Sequence, residues 1–156
     1  MSIAIAFGVR LLLVLLFLPF SALDKLLDFR GAVAQARQAA PRPLAIALIL
    51  AGLVVEVVMS TAILLGVADR AAAFVLASYC LATALLWKQF WTPGDFWSNA
   101  DGKARGLFWD FWKNVALAGG FLLLTFGVTA NSVSAASADP FGSTHPYSQT
   151  GVDHDR

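Results

Sequence analysis

Four long apolar runs, separated by short polar connections, dominate the pattern of hydrophobic and polar residues along this chain. A helix needs about 20 apolar residues to cross the hydrocarbon layer of a membrane, and each run is long enough. The pattern predicts helical spans at residues 3–23, 44–65, 69–91 and 107–127. Open sheets would leave backbone groups unpaired in lipid, and the alternation of membrane barrel strands is absent. The chain is therefore predicted to be all-α, an integral membrane four-helix bundle with short connections.

The connections divide the chain into a four-helix transmembrane domain, residues 1–130, and a polar tail, residues 131–156. Only residues 66–68 join spans two and three, which predicts a tight antiparallel hairpin. The first connection is rich in Ala, Gln and Arg and predicts a short interfacial helix that ends near Pro41. The tail has too few apolar residues to offset the entropy of ordering, so it is expected to be disordered.

Composition supports the membrane assignment. Mean hydropathy is +0.70 and only 13% of residues are charged, whereas soluble domains carry about 25%. The net charge of +1 gives no reason to expect nucleic acid as a partner. Cys80 is the single cysteine, so no disulfide can form within the chain, and we expect it to be a buried apolar residue. Nothing basic precedes Arg10, which favours a retained first helix over a cleaved signal peptide.

Lysine and arginine residues are concentrated in the first and third connections and at their rims. They are Lys25, Arg30, Arg37, Arg42, Lys88, Lys103, Arg105 and Lys113. The opposite side carries Arg70 and, far along the tail, Arg156. The positive-inside rule therefore predicts cytoplasmic connections one and three, with both termini outside, in a bacterial-type inner membrane.

Two ionisable residues, Arg10 and Glu56, lie inside the predicted spans. At about 1.5 Å per residue their depths differ by about 5 Å, within the reach of an arginine side chain. Because an unpaired charge at membrane depth is costly, we expect an Arg10–Glu56 ion pair. The pair would either fix the register of the helices or form a proton- or ligand-binding site.

A second group of polar and aromatic residues gathers at the predicted cytoplasmic ends of the spans. The candidate binding residues are Lys25, Trp87, Lys88, Trp112, Lys113 and Asn114. All five tryptophans lie between residues 87 and 112. This one-sided group suits a quinone ring, a lipid headgroup or a partner subunit; the alternative is an aromatic belt with snorkelling lysines.

Other chemistries lack their residues. The predicted spans contain no histidine, and the spacing of His145 and His154 matches no known metal site. There is no cysteine cluster, phosphate-binding loop or nucleophile–base pair. We therefore expect no metal and no covalently bound cofactor. The aromatic and polar group described above makes a quinone the candidate cofactor.

The sequence resembles the DoxX family of small four-helix membrane proteins, from about Arg10 to Gly127. The residues that carry the resemblance are Arg10-Leu-Leu-Leu, Ser21-Ala-Leu-Asp-Lys25-Leu, Glu56 followed by Leu64-Leu-Gly66 and Arg70, and Phe111-Trp-Lys113-Asn114-Val-Ala-Leu-Ala-Gly119-Gly120. In many relatives the position of Lys88 looks like a histidine before an aromatic pair. This chain keeps the pair, Phe90-Trp91, but not the histidine.

The resemblance implies an accessory or quinone-contacting subunit of a membrane redox or respiratory assembly. Its partners would be the lipid bilayer and other membrane subunits, or further copies of the chain. Some DoxX-like proteins belong to thiosulfate:quinone oxidoreductases, so a component of a quinone-linked sulfur oxidoreductase is one alternative. A small transporter that uses the intramembrane Glu56 is another.

Overall fold

The structure is a computed structural model that describes residues 2–99 and 101–148. Within that part four helical stretches are long and apolar enough to cross a membrane, which confirms the predicted all-α membrane bundle. They are Ile3–Leu27, Arg42–Leu65, Asp69–Trp87 and Lys103–Phe126. No strand occurs in the described ranges. The third stretch ends at Trp87 rather than at residue 91, because the chain leaves the helix at Lys88.

The first of these stretches, called span one, consists of three pieces with a kink in the middle. They are α1, Ser2–Val14, a π-helical turn, Leu16–Ser21, and α2, Ala22–Leu27. Pro19 lacks the N–H that would continue the helical hydrogen bonds, and Leu18 leaves helical geometry at φ −123° and ψ 109°. The kink lets Phe17 pack into the core while Ser21 turns towards the second span.

The short helix expected in the first connection is α3, Phe29–Ala36. Its start is capped by Asp28, whose Oδ1 accepts from the N–H of Gly31 at 3.0 Å. α3 packs against the beginning of the second span. It therefore covers one end of the bundle, which we call the α3 end.

The remaining spans are α4, Arg42–Leu65, α5, Asp69–Trp87, and α6, Lys103–Phe126. Gly66 (φ 70°) and Ala68 (φ 46°) make the predicted tight turn between α4 and α5. α5 lies between α4 and α6, and span one packs mainly on α4. The core between them includes Val14, Phe17, Ile63, Leu76, Cys80 and Phe121. Cys80 is fully buried, as expected.

Within the tail predicted to be disordered, residues 131–156, the described residues 131–148 are ordered. Helix α7, Ala130–Ala138, is capped by Thr129 and Ser132, and the chain then returns to the α4–α5 turn. Hydrogen bonds to buried groups, together with the burial of Ala136, offset the cost of ordering this segment. We call the end of the bundle that contains α7 and the α4–α5 turn the α7 end. Residues 149–156, with His154 and Arg156, lie outside the described residues.

Candidate functional site

Two buried ion pairs tie span one to the rest of the bundle. Arg10 Nη2 lies 2.8 Å from Asp69 Oδ2, and Lys25 Nζ lies 2.7 Å from Glu56 Oε1. Arg10 and Glu56 are both buried, at 6% and 1% exposure. The prediction that they pair with each other is wrong, because each has a different partner.

The depth estimate failed because it assumed straight spans that begin in one plane. Arg10 Nη1 donates to the carbonyl of Ile63 at 2.7 Å, so Arg10 lies near the end of α4. Glu56 is about two turns away along the same helix. Beyond the kink, span one brings Lys25 to the depth of Glu56 instead.

The carboxylate of Glu56 is the centre of a hydrogen-bond network. Its Oε1 accepts from Ser21 Oγ at 3.0 Å and from Tyr79 OH at 3.0 Å. Lys25 Nζ donates to both oxygens, at 2.7 and 3.0 Å. A Cβ on Gly52 would lie 3.0 Å from Tyr79 OH, so the glycine leaves room for the tyrosine. The network neutralises the buried charge and satisfies its acceptors.

A cavity of about 670 Å³ extends from this network to α3. Span one, α3, α4 and α5 provide most of its wall. Leu16, Phe17, Leu48, Val55 and Leu86 are among its apolar residues. Its polar lining includes the Glu56 network and several side chains near the α3 end, so the cavity is apolar on its walls and polar at defined points.

Four of the six candidate binding residues line this cavity, namely Lys25, Trp87, Lys88 and Asn114. Trp112 instead packs on Phe108 and Phe111, and Lys113 is exposed beside Asp110. Successive residues of a helix point about 100° apart, so Asn114 turns to the cavity while its two predecessors turn away.

Sequence reasoning missed two polar residues of α5, Tyr79 and Thr83, that line the cavity with Trp87. Tyr79, Thr83 and Trp87 follow one another at intervals of four residues and therefore share one face of the helix. That spacing is a signal that could have identified them. Thr83 Oγ1 and Trp87 Nε1 are buried without a hydrogen-bond partner in the part of the chain that the structure describes. Both can donate to a bound molecule.

At the α7 end, Asp69 is fully buried and has three donors. Besides Arg10, the N–H of Thr144 donates to Oδ1 at 2.9 Å and the Thr144 hydroxyl donates to Oδ2 at 2.5 Å. Arg10 Nη2 also donates to that hydroxyl at 2.5 Å. The tail thus covers this second ion pair. Asp69 is the first residue of α5 and directly follows the α4–α5 turn. An acidic residue at the start of a span, on the side where span one begins, is the sequence signal that could have identified this partner of Arg10.

Comparison with known proteins agrees with the resemblance in the sequence. The family model of DoxX matches residues 5–89, from span one through α5. The chain is 36% identical over 116 residues to the inner membrane protein YphA of Escherichia coli (strain K12), which covers 74% of this chain and 76% of that protein. No solved structure matches. The Glu56 network lies inside the family match, whereas the block at residues 111–120 lies beyond it.

Proposed function

This chain belongs to the DoxX family, and from that premise we propose that it is an inner-membrane protein that binds a quinone beside Glu56, as an accessory subunit of a redox assembly. The observation that carries the proposal is the cavity and its two unpartnered donors. The relative named as an inner membrane protein supports the location.

The size and lining of the cavity suit a flat amphiphile. Small-molecule sites commonly enclose about 300–1,000 Å³ and are mainly apolar with a few placed polar groups. The cavity of about 670 Å³ lies in that range. Aromatic rings of Phe17, Tyr79 and Trp87 line it and offer faces for stacking.

The donors suit the carbonyl oxygens of a quinone. Trp87 Nε1 and Thr83 Oγ1 lack partners among the described residues, and a buried donor without an acceptor costs about 1–3 kcal/mol. A ligand carbonyl would remove that cost. Lys88, held 3.2 Å from Asp110, and Asn114 add polar groups at the α3 end of the cavity.

An accessory role follows from the residues that the chain supplies. Its single cysteine is buried in the core, and its spans lack histidine. The electron-donating chemistry of the assembly would therefore belong to a partner subunit, with this chain holding the quinone in the membrane. Co-purification in mild detergent tests the assembly: we expect a defined membrane partner, and recovery of the chain alone or only as a homo-oligomer contradicts the subunit role.

Binding of a short-chain benzoquinone to the detergent-solubilised protein, measured by calorimetry, tests the ligand. Trp87→Phe keeps the ring but removes the donor, so we expect about fivefold weaker binding, the loss of one hydrogen bond. Trp112→Phe is the matched control outside the cavity and should bind like the parent. The proposal fails if the parent does not bind, or if the two variants bind equally.

A lipid headgroup is the main competitor for the same cavity. Attraction between charged groups weakens as ionic strength rises, whereas stacking persists. Quinone affinity should therefore be similar at low and high salt. If anionic lipid binds the parent protein more tightly than the quinone does, and displaces the quinone at low salt only, the cavity is a headgroup site instead.

One observation favours a transporter as the second candidate, because Glu56 lies at the cavity and could bind a proton or cation. Its pairing with Lys25 argues against that role. Uptake of protons or cations into proteoliposomes that contain the chain, abolished by Glu56→Gln, would support transport. The thiosulfate oxidoreductase alternative requires quinone reduction with thiosulfate when the assembly is present.

A further inference from the structure

The tail segment of residues 143–147 contacts groups that the end of α4 leaves without partners. The last carbonyls of a helix have no intrahelical donor. Here the hydroxyl of Ser143 donates to the carbonyl of Gly66 at 2.6 Å, and the hydroxyl of Tyr147 donates to the carbonyl of Leu64. The tail therefore completes the hydrogen bonding of the α4–α5 turn.

Thr144 makes a two-point contact with Asp69. Its N–H and its hydroxyl donate to the two different oxygens of the carboxylate, and the hydroxyl also accepts from Arg10. This arrangement requires both a backbone N–H and a β-hydroxyl at one residue, so it distinguishes Ser or Thr from other residues.

The turn is also shaped for the prolyl ring of the segment. A Cβ on Gly66 would lie 2.7 Å from Cγ of Pro146, which is closer than carbon atoms approach. The glycine is required for the φ of 70° as well. Hydrogen-bond acceptors, a buried carboxylate and steric fit thus involve four of five consecutive tail residues, all except His145.

We propose that the α7 end is a peptide-binding site whose ligand is the chain's own segment 143–147, called the latch. Only four residues separate α7 from the latch, so the chain's own segment reaches the site. The latch contacts the carbonyl of Leu64 in α4, the carboxylate of Asp69 in α5 and the guanidinium of Arg10 in span one. It therefore holds span one against the α4–α5 hairpin.

The native thiol of Cys80 reports whether span one stays in place. Cys80 is 0% exposed and belongs to the same buried cluster as Val14 and Phe17 of span one. When the latch is released, span one moves away from this cluster, and a maleimide reaches the sulfur. Because Cys80 is the single cysteine, no engineered thiol is needed.

The first experiment compares rates of maleimide labelling in nanodiscs. A stop codon at residue 140 removes the latch and should accelerate labelling about tenfold or more, since hydrogen bonds to charged groups are lost. Thr144→Val should accelerate it several-fold. Ser148→Ala is the matched control, because that hydroxyl donates to His145 within the tail, and should label like the parent. Unchanged labelling of the truncated chain overturns the proposal.

The second experiment separates a peptide-binding site from general destabilisation. A synthetic peptide of residues 142–148 is added to the truncated chain at several millimolar, about the effective concentration that a short tether provides. We expect it to restore slow labelling, whereas the peptide with valine in place of Thr144 should not. If neither peptide slows labelling, the peptide-binding site is overturned. If labelling of the full chain slows with protein concentration, a second copy supplies the latch and the intramolecular ligand is overturned. No quinone is present, so the outcome is independent of the proposed function.

Discussion

The two ends of span one are fastened by the same kind of interaction in opposite surroundings. At the α3 end, Lys25 pairs with Glu56 beside a cavity, and the lysine side chain is 16% exposed. At the α7 end, Arg10 pairs with Asp69, which is 0% exposed and covered by the latch. Removing two charges from water is costly unless further hydrogen bonds satisfy them. At the α3 end, the hydroxyls of Ser21 and Tyr79 donate to the carboxylate of Glu56. At the α7 end, Thr144 of the tail donates to the carboxylate of Asp69.

The difference between the ends lies in what adjoins each ion pair. The Lys25–Glu56 pair leaves room for a molecule next to it, since the cavity adjoins its network. The Arg10–Asp69 pair leaves none, because Thr144 occupies the adjoining position. One pair thus adjoins a cavity, and the other is covered by the chain's own latch.

The experiment with the largest expected effect tests which compartment each end of the bundle faces. The Lys and Arg distribution predicts that the α3 end is cytoplasmic and the α7 end is outside. A reporter active only in the cytoplasm should be strongly active when inserted after Gln38, between α3 and α4. It should be inactive when fused after residue 148. Activity in the reverse arrangement would invert the assignment of the two ends.

The next effect compares the stability that each carboxylate provides. Asp69→Asn leaves Arg10 buried without a charge partner, so we expect a loss of about 3–5 kcal/mol of unfolding free energy. Glu56→Gln should cost about 1–3 kcal/mol, because Lys25 can turn to the cavity. Asp110→Asn is the control: its carboxylate is 41% exposed between Lys88 and Lys113, so the change should cost about 0–1 kcal/mol. Unfolding in mixed detergent–dodecyl sulfate micelles measures all three. A larger loss for Glu56→Gln would contradict the comparison.

The smallest expected effect tests whether the two pairs are independent. Because Arg10 and Glu56 have different partners, Arg10→Gln and Glu56→Gln should add within about 0.5 kcal/mol in the double variant. The matched cycle of Lys25→Gln with Glu56→Gln should be clearly non-additive. Strong coupling between Arg10 and Glu56 would support the pairing predicted from the sequence and reject the one in the structure.

The spans were predictable because membrane crossing depends on length and hydropathy alone. Residues 44–65, for example, became α4 with a shift of two residues at one end. The turn at residues 66–68 was equally predictable, since three residues allow only an antiparallel hairpin. The predicted depths took span one as a straight helix without the kink at Pro19. The pairing of Lys25 with Glu56 was therefore not predicted.

The candidate site was predictable in part, because position along a helix does not fix direction around it. Trp87 and Asn114 face the cavity, whereas Trp112 and Lys113 at the same depth do not. The contacts of Thr144 could not be predicted from the sequence for another reason. Its partners are residues 10 and 69, and no local pattern in a polar tail indicates so distant a contact.

The crowding of every tryptophan between residues 87 and 112 has a spectroscopic consequence. Intrinsic indole emission will sense the surroundings of the α3 end, and the α7 end will be almost silent in that signal. An unfolding curve recorded by fluorescence therefore describes half of the molecule. Agreement with far-ultraviolet circular dichroism, which sees all helices, is required before one transition can be assigned to the whole bundle.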